Sequence, residues 1–192
     1  MTINGIEMIT DRSPSDVEIA KSLIKKGFAN MTEAEKQQFM DGLRGAYNYT
    51  DFNRVESAVL HLANRFVEVG GEIKELAESL GVAYDSLFDV PYDAKKYEGV
   101  TGKTDWELGA ILSDDERNAY LSRVVYVLEA FGVPSNFPQT LNGLTHIGAN
   151  IIEKSLVDSN NSLIKMQEDK EKLIRSTAKA WFYSGDLYGG ET

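Results

Sequence analysis

Apolar residues between positions 52 and 69 recur at a spacing that a helix satisfies and a strand does not. Phe52, Val55, Val59, Leu62, Phe66 and Val69 follow one another at intervals of three and four, which lays them along one face of a 3.6-residue turn. Thr50 or Asp51 is placed to cap the start. The pair Gly70–Gly71 should end or bend this helix. Ile73, Leu76 and Leu80 continue the apolar side, with Gly81 as the C-terminal cap position.

Two shorter helices are predicted upstream. In SPSDVEIAKSLIKKGF, Ser13 or Ser15 caps, Pro14 suits the first turn, and Asp16 and Glu18 favour the positive end. Val17, Ile19, Ala20, Leu23 and Ile24 make its apolar face, and Gly27 stops it. Thr32, followed three residues later by Glu35, forms a capping-box pattern ahead of Phe39, Met40 and Leu43, with Gly45 as the end.

The periodicity fails from Val82 to Trp106. That stretch is rich in tyrosine, aspartate and glycine and reads as a long loop, a length that often marks function or a boundary. Helix resumes after Ser113, with Leu121, Val124, Leu128 and Phe131 as its stripe, and Gly132 and Pro134 as its end. After the extended connector VPSNFPQ, a further helix starts around 140–144 and carries Ile147, Ile151, Leu156, Leu163 and Met166. Residues 166–172, MQEDKEK, are almost wholly polar and read as a solvated helix face or exposed arm. The ending AWFYSGDLYGGET is aromatic and glycine-containing, so it is expected to be extended.

The elements imply an all-α protein of two small helical subdomains, 1–81 and 107–180, joined by the 82–106 loop and followed by an extended aromatic tail, 181–192. An echo runs between the halves. At an offset of 97 positions Asn53-Arg-Val-Glu56 falls on Asn150-Ile-Ile-Glu153, and Val59, Asn64 and Phe66 fall on Leu156, Asn161 and Leu163. Such an echo arises by duplication of a helical unit, or by chance between heptad-patterned helices. If it reflects duplication, Asn53 and Asn150 are equivalent groups near helix starts, with a repeated structural role.

Composition narrows the function classes. With 42% apolar and 26% charged residues, the 192-residue chain has the make-up of a soluble globular protein. A net charge of −10 gives a field that repels phosphate backbones and anionic lipid, against nucleic-acid or membrane partners. The absence of cysteine removes thiol catalysis and thiolate metal sites and suits folding in a reducing cytoplasm. The N-terminal stretch lacks the basic-then-apolar layout of a signal peptide, and no apolar run reaches the roughly 20 residues that span a bilayer.

Candidate chemistry is sparse. His61 and His146 belong to no HExxH or HxH arrangement, and no phosphate-loop, dinucleotide or nucleophile-elbow pattern occurs. Asp85, Asp89, Asp93 and Glu98 have calcium-ligand chemistry without EF-hand spacing. No cofactor and no catalytic residue is assigned, and the chain is expected not to be an enzyme. The alternative is a small-ligand binder or enzyme using the acidic, aromatic loop 85–106, for which a deep pocket lined by Asp85, Asp89, Tyr92 and Trp106 would be the sign. Asp51, Asn53, Arg54 and Asn150 are read as groups that hold helix starts, Arg54 by pairing with Asp51 or Glu56. Trp181, Tyr183 and Tyr188 either pack back onto the helices or present a sticky edge to another subunit.

Two segments carry a family resemblance. ITDRSPSDVEIAKSL resembles a DRTQADV opening, and LRGAYNYTDFNRVESAVLHLANRF resembles a KGAYNxTDLNRVExAVxYL segment. Both belong to small helical proteins of the tail and baseplate genes of phages and prophages of Gram-positive bacteria. KTDW at 103–106, ANIIEKSL at 149–156 and WFYSGDLYGGE at 181–191 are further landmarks. Ser-Pro-Ser replaces Thr-Gln-Ala in the first motif, which alters only the first helix cap. The resemblance implies a virion structural or tail-associated role, with homo-oligomers and other tail proteins as partners, and brings no catalytic residues with it.

Overall fold

The computed structural model describes residues 1–83, 94–108 and 113–186, with the side chains of 94–95 and 181–186 left aside. Among the described residues the chain is mostly helical, and all-α apart from one small hairpin. The strands β1 (Thr2–Ile3) and β2 (Ile6–Glu7) pair antiparallel, with Ile3 opposite Ile6. The connecting Asn4 and Gly5 both have positive φ, as a two-residue type I′ turn demands. Alternation here is too short to stand out, but the Asn-Gly pair was the available signal.

Helix α1 (Pro14–Lys26) begins as its sequence dictates. Ser13 accepts from the Asp16 amide while the Asp16 carboxylate accepts from the Ser13 amide, a complete capping box with Pro14 at the first position. Gly27, at φ 75°, closes it. Its buried face is narrower than expected: Ala20 and Leu23 are inside, whereas Ile19 and Ile24 are exposed. They flank the inward stripe on a helix that is covered on one side only. Helix α2 (Glu33–Met40) carries the Thr32–Glu35 capping box and stops at Asp41, before Gly45.

Helix α3 (Tyr49–Ser79) runs unbroken through Gly70 and Gly71. Gly70 is buried, and a Cβ on Gly71 would meet nothing within 4 Å. Helix α4 (Asp114–Leu128) starts at a Ser113–Glu116 capping box and buries Leu121, Val124 and Leu128. Helix α5 (His146–Asp186) follows. Its inward residues include Ile152, Leu156 and Leu163, while Ile147 is exposed and Ile151 half-buried. The expected stripe was one residue out of register in its first two turns.

Helix α5 also corrects the expected tail. Residues 181–186 are helical, so the aromatic ending does not become extended at Trp181. Helical propagation adds a hydrogen bond for each residue fixed, and aromatics join an existing helix at a cost of only a few tenths of a kcal/mol each (~0.5). Residues 187–192, with Tyr188, lie outside the described residues, as do 84–93 of the expected loop.

The chain divides into two compact units, each drawn from two stretches: Met1–Leu62 with Val100–Asn160, and Ala63–Gly99 with Asn161–Thr192. Both take residues from either side of the 82–106 segment, so they do not coincide with 1–81 and 107–180. The first unit buries Val55, Val59 and Leu62 of α3, Tyr120 and Val124 of α4, and Ile152 and Leu156 of α5. The second buries Phe66, Val69 and Ile73 of α3 with Leu163 and Ile174 of α5, and Tyr97 packs its ring 4.8 Å from Phe66.

Candidate functional site

The stretch Gly45–Glu56 sits in the first unit and draws together the buried charged residues among those described, Arg12, Asp51, Glu56 and Glu153. Gly45 comes first because no side chain fits there: a Cβ would lie 2.0 Å from the Asp16 carbonyl oxygen, in the first turn of α1. Tyr47 follows, its hydroxyl bonded to that of the fully buried Tyr120 and its ring edge-on to Phe52 at 5.2 Å. Burial pushes both hydroxyls above the ordinary tyrosine range, so the pair stays neutral.

Asn48, not Thr50 or Asp51, caps α3. Its side-chain oxygen accepts from the Thr50 amide at 2.9 Å, and its carbonyl takes the first helical bond, from Phe52. Asp51 completes the cap from inside by accepting from the Asn48 amide at 2.9 Å. The sequence reading offered Thr50 or Asp51; Asn48 is a third cap former within the same four residues, and local pattern does not choose among the three.

Asp51 does more than cap. Its other oxygen meets the guanidinium groups of Arg12, at 2.6 Å, and Arg54. Both arginines also reach Glu153 on α5, Arg54 with Nε at 3.0 Å and Nη2 at 2.7 Å. Glu153 further accepts from the Ile9 amide at 2.6 Å. Two cations and two anions thus neutralise one another, with Arg12, Asp51 and Glu153 almost completely removed from solvent. Burial alone would lower the pKa of either arginine. For Arg12 the charges of Asp51 and Glu153 outweigh it, for Arg54 the bond and charge of Glu153 do, and both end higher. Burial pushes the Asp51 carboxyl up, and the charges of Arg12 and Arg54 do not fully cancel it. Nε of Arg12 is buried without a partner.

The expected Arg54 pairing therefore resolves to Asp51, with Glu153 added and Glu56 uninvolved. Glu56 is fully buried and takes the Arg123 side chain of α4 instead, with Nε at 3.0 Å and 3.1 Å from its two oxygens. Gly102 lies against it, where a Cβ would be 2.8 Å from Glu56 Oε2. Glu56 and Glu153 stood out in the sequence only as a matched pair in the 97-position echo; their burial was not legible, because nothing local distinguishes a buried glutamate from a solvated one.

Asn53 and Asn150 are half-buried and each spans a distant segment. Asn53 donates to the Trp106 carbonyl at 2.9 Å and accepts from the Trp106 amide at 2.8 Å. Asn150 does the same to Arg12, both bonds at 2.9 Å. Holding a helix start was the expected role; the segments they hold are remote in sequence.

Trp106 is buried beside Phe52, with the Lys103 ammonium 4.1 Å from its ring centroid. Asp85, Asp89, Tyr92 and Asp93, the other residues of the expected loop site, lie outside the described residues. Trp181 and Tyr183 fall in the last turns of α5. Among the described residues no group of three or more His, Asp or Glu could hold a metal ion, and no helix is long and apolar enough to cross a membrane. Among the described residues, shallow depressions lie along helix flanks, one of about 480 Å³ beside Met166 and Leu173 of α5 and another of about 440 Å³ beside Leu121 and Val125 of α4.

The geometry defines a helical protein whose conspicuous polar residues are committed to its own interior. No protein family matches the chain, and neither does any curated protein or solved structure.

Proposed function

We propose that the chain is a non-enzymatic structural or interaction component of a phage or prophage tail or baseplate, working through protein–protein assembly. One observation carries the reading. In the segment that resembles tail proteins, the polar side chains Asn48, Asp51, Asn53, Arg54 and Glu56 are all engaged by the protein itself. A motif spent on capping, clasping and charge neutralisation is a signature of architecture, and a likeness in it is a likeness of building part. Catalysis by this segment would need at least one of these groups held ready for a substrate.

Such a part acts by burying matched surface against copies of itself or other tail proteins, with symmetry multiplying weak contacts. Trp181, Tyr183 and Tyr188 supply the aromatic composition that interfaces favour. Synthesis in the bacterial cytoplasm and incorporation into a virion follow from this role. Light scattering on the full chain and on a chain ending at Lys179 tests it. An oligomeric full chain and a monomeric shortened one support assembly through the aromatic end. A full chain that stays at 21.4 kDa at every concentration counts against self-assembly.

A further inference from the structure

Asn53 and Asn150 perform one operation in two places. Each holds a single residue of an extended strap by both its amide and its carbonyl, Trp106 in one case and Arg12 in the other. A carboxamide offers one donor and one acceptor side by side, which matches one residue's backbone groups as a neighbouring strand would. One helical turn beyond each asparagine stands a fully buried glutamate, Glu56 or Glu153, that takes a guanidinium.

The straps correspond as well. The held residue is third in Thr10-Asp11-Arg12 and third in Thr104-Asp105-Trp106. A serine-capped helix with a complete capping box follows each strap, from Ser13 with Asp16 and from Ser113 with Glu116. Strap, capped helix and long helix bearing Asn-x-x-Glu therefore occur twice, at separations of 94, 100 and 97 positions. The straps are exchanged: the first is held by α5 and the second by α3.

The first unit is made of the stretches 1–62 and 100–160, and its buried polar bonds concentrate on the seam between them. Arg12–Glu153, Arg54–Glu153, Glu56–Arg123, Tyr47–Tyr120 and both asparagine clasps all join one stretch to the other. A strap that left alone would strand buried charge, since Arg12 could not go without leaving Asp51 and Glu153 with Arg54 only. We propose that this unit is an internal duplication closed by two reciprocal latches, and that the latches release in one joint opening of the seam. The inference stands whether or not the chain assembles.

Hydrogen exchange of individual backbone amides in the full chain tests it. Separate clips would fray separately, whereas a shared opening exposes both straps through the same event. Asn53→Ala should speed exchange of the Arg12 amide, on the strap it does not touch, by about tenfold, the factor expected for losing two net hydrogen bonds of modest strength. Asn150→Ala should do the same to the Trp106 amide. Arg123→Lys touches neither strap and loosens only the Glu56 end of the seam, so it should speed both amides together even if an alanine variant fails to fold. Acceleration confined to the strap whose own asparagine was removed, or no effect of Arg123→Lys on either amide, would overturn the proposal.

Discussion

Replacing Glu153 by glutamine probes the buried charge cluster with almost no change in shape. In the native protein its two oxygens accept from the Ile9 amide, Arg12 and both Nε and Nη2 of Arg54, and none of the side chain is exposed. Glutamine removes one of two negative charges and turns an acceptor into a donor that faces a guanidinium. The arginines cannot relieve this by losing a proton, because their pKa values lie above an already high reference. Breaking a buried ion pair from one side costs ~3–5 kcal/mol, and the partial exposure of Arg54 favours the lower end. For a chain of this size about 3 kcal/mol corresponds to a fall in melting temperature of roughly 6–12 °C. The melt should be followed by Trp106 fluorescence in a Trp181→Phe background, so that the signal belongs to the unit holding the cluster. Lys154→Ala, which removes the exposed Lys154–Asp158 pair one residue further along, should cost ~0.5 kcal/mol or less. If Glu153→Gln melts within about 2 °C of the parent, a tenth of a typical stability margin, the cluster does not hold this unit together.

Other perturbations have equally definite outcomes. Gly45→Ala places a methyl group 2.0 Å from the Asp16 carbonyl oxygen, which is backbone and cannot swing aside; a loss of ~2–3 kcal/mol in chemical denaturation is expected. Tyr47→Phe leaves the Tyr120 hydroxyl buried without its partner and should cost ~1–2 kcal/mol in the same assay. The Glu35 carboxyl, held by the Lys26 ammonium and then by the Thr32 amide and hydroxyl, should titrate at about 2 by NMR. Its folded pKa lies below the ordinary value of 4.5, so its contribution to α2 is complete above that value and fades as pH falls from 4.5 towards 2. Lys26→Ala should move the titration back up, and an unmoved value would show that the contact is not formed in solution.

How much was legible depended on how far each interaction reaches along the chain. The Thr32–Glu35 capping box spans three residues and was readable, as were the cap at Ser113 and, with Ser15 as the alternative, the cap at Ser13. The α3 stripe was readable because a long helix repeats its message over many turns. Ile19, Ile24 and Ile147 were misplaced for the opposite reason: on a short or newly started helix, one residue of register decides which isoleucine faces inward, and tertiary cover sets that register. The aromatic ending was misread because composition, without periodicity, does not say whether an established helix continues.

The polar core divides in the same way. Asn53 and Asn150 were singled out by their shared spacing and read as groups that hold helix starts. Their partners, Trp106 and Arg12, lie 53 and 138 positions away, and nothing local announces them. Arg12 was hidden more deeply: an arginine ahead of a helix cap ordinarily faces solvent, and only the meeting of α3 and α5 gives it two carboxylates.

The proposed role, a built-in part of a phage tail, is the one to test first. Quantitative mass spectrometry of phage or prophage tails purified from a strain that carries the gene tests it directly. The account predicts the chain in washed particles at a fixed copy number that is a multiple of the tail's rotational symmetry. Particles that are complete and infective without it would contradict the account.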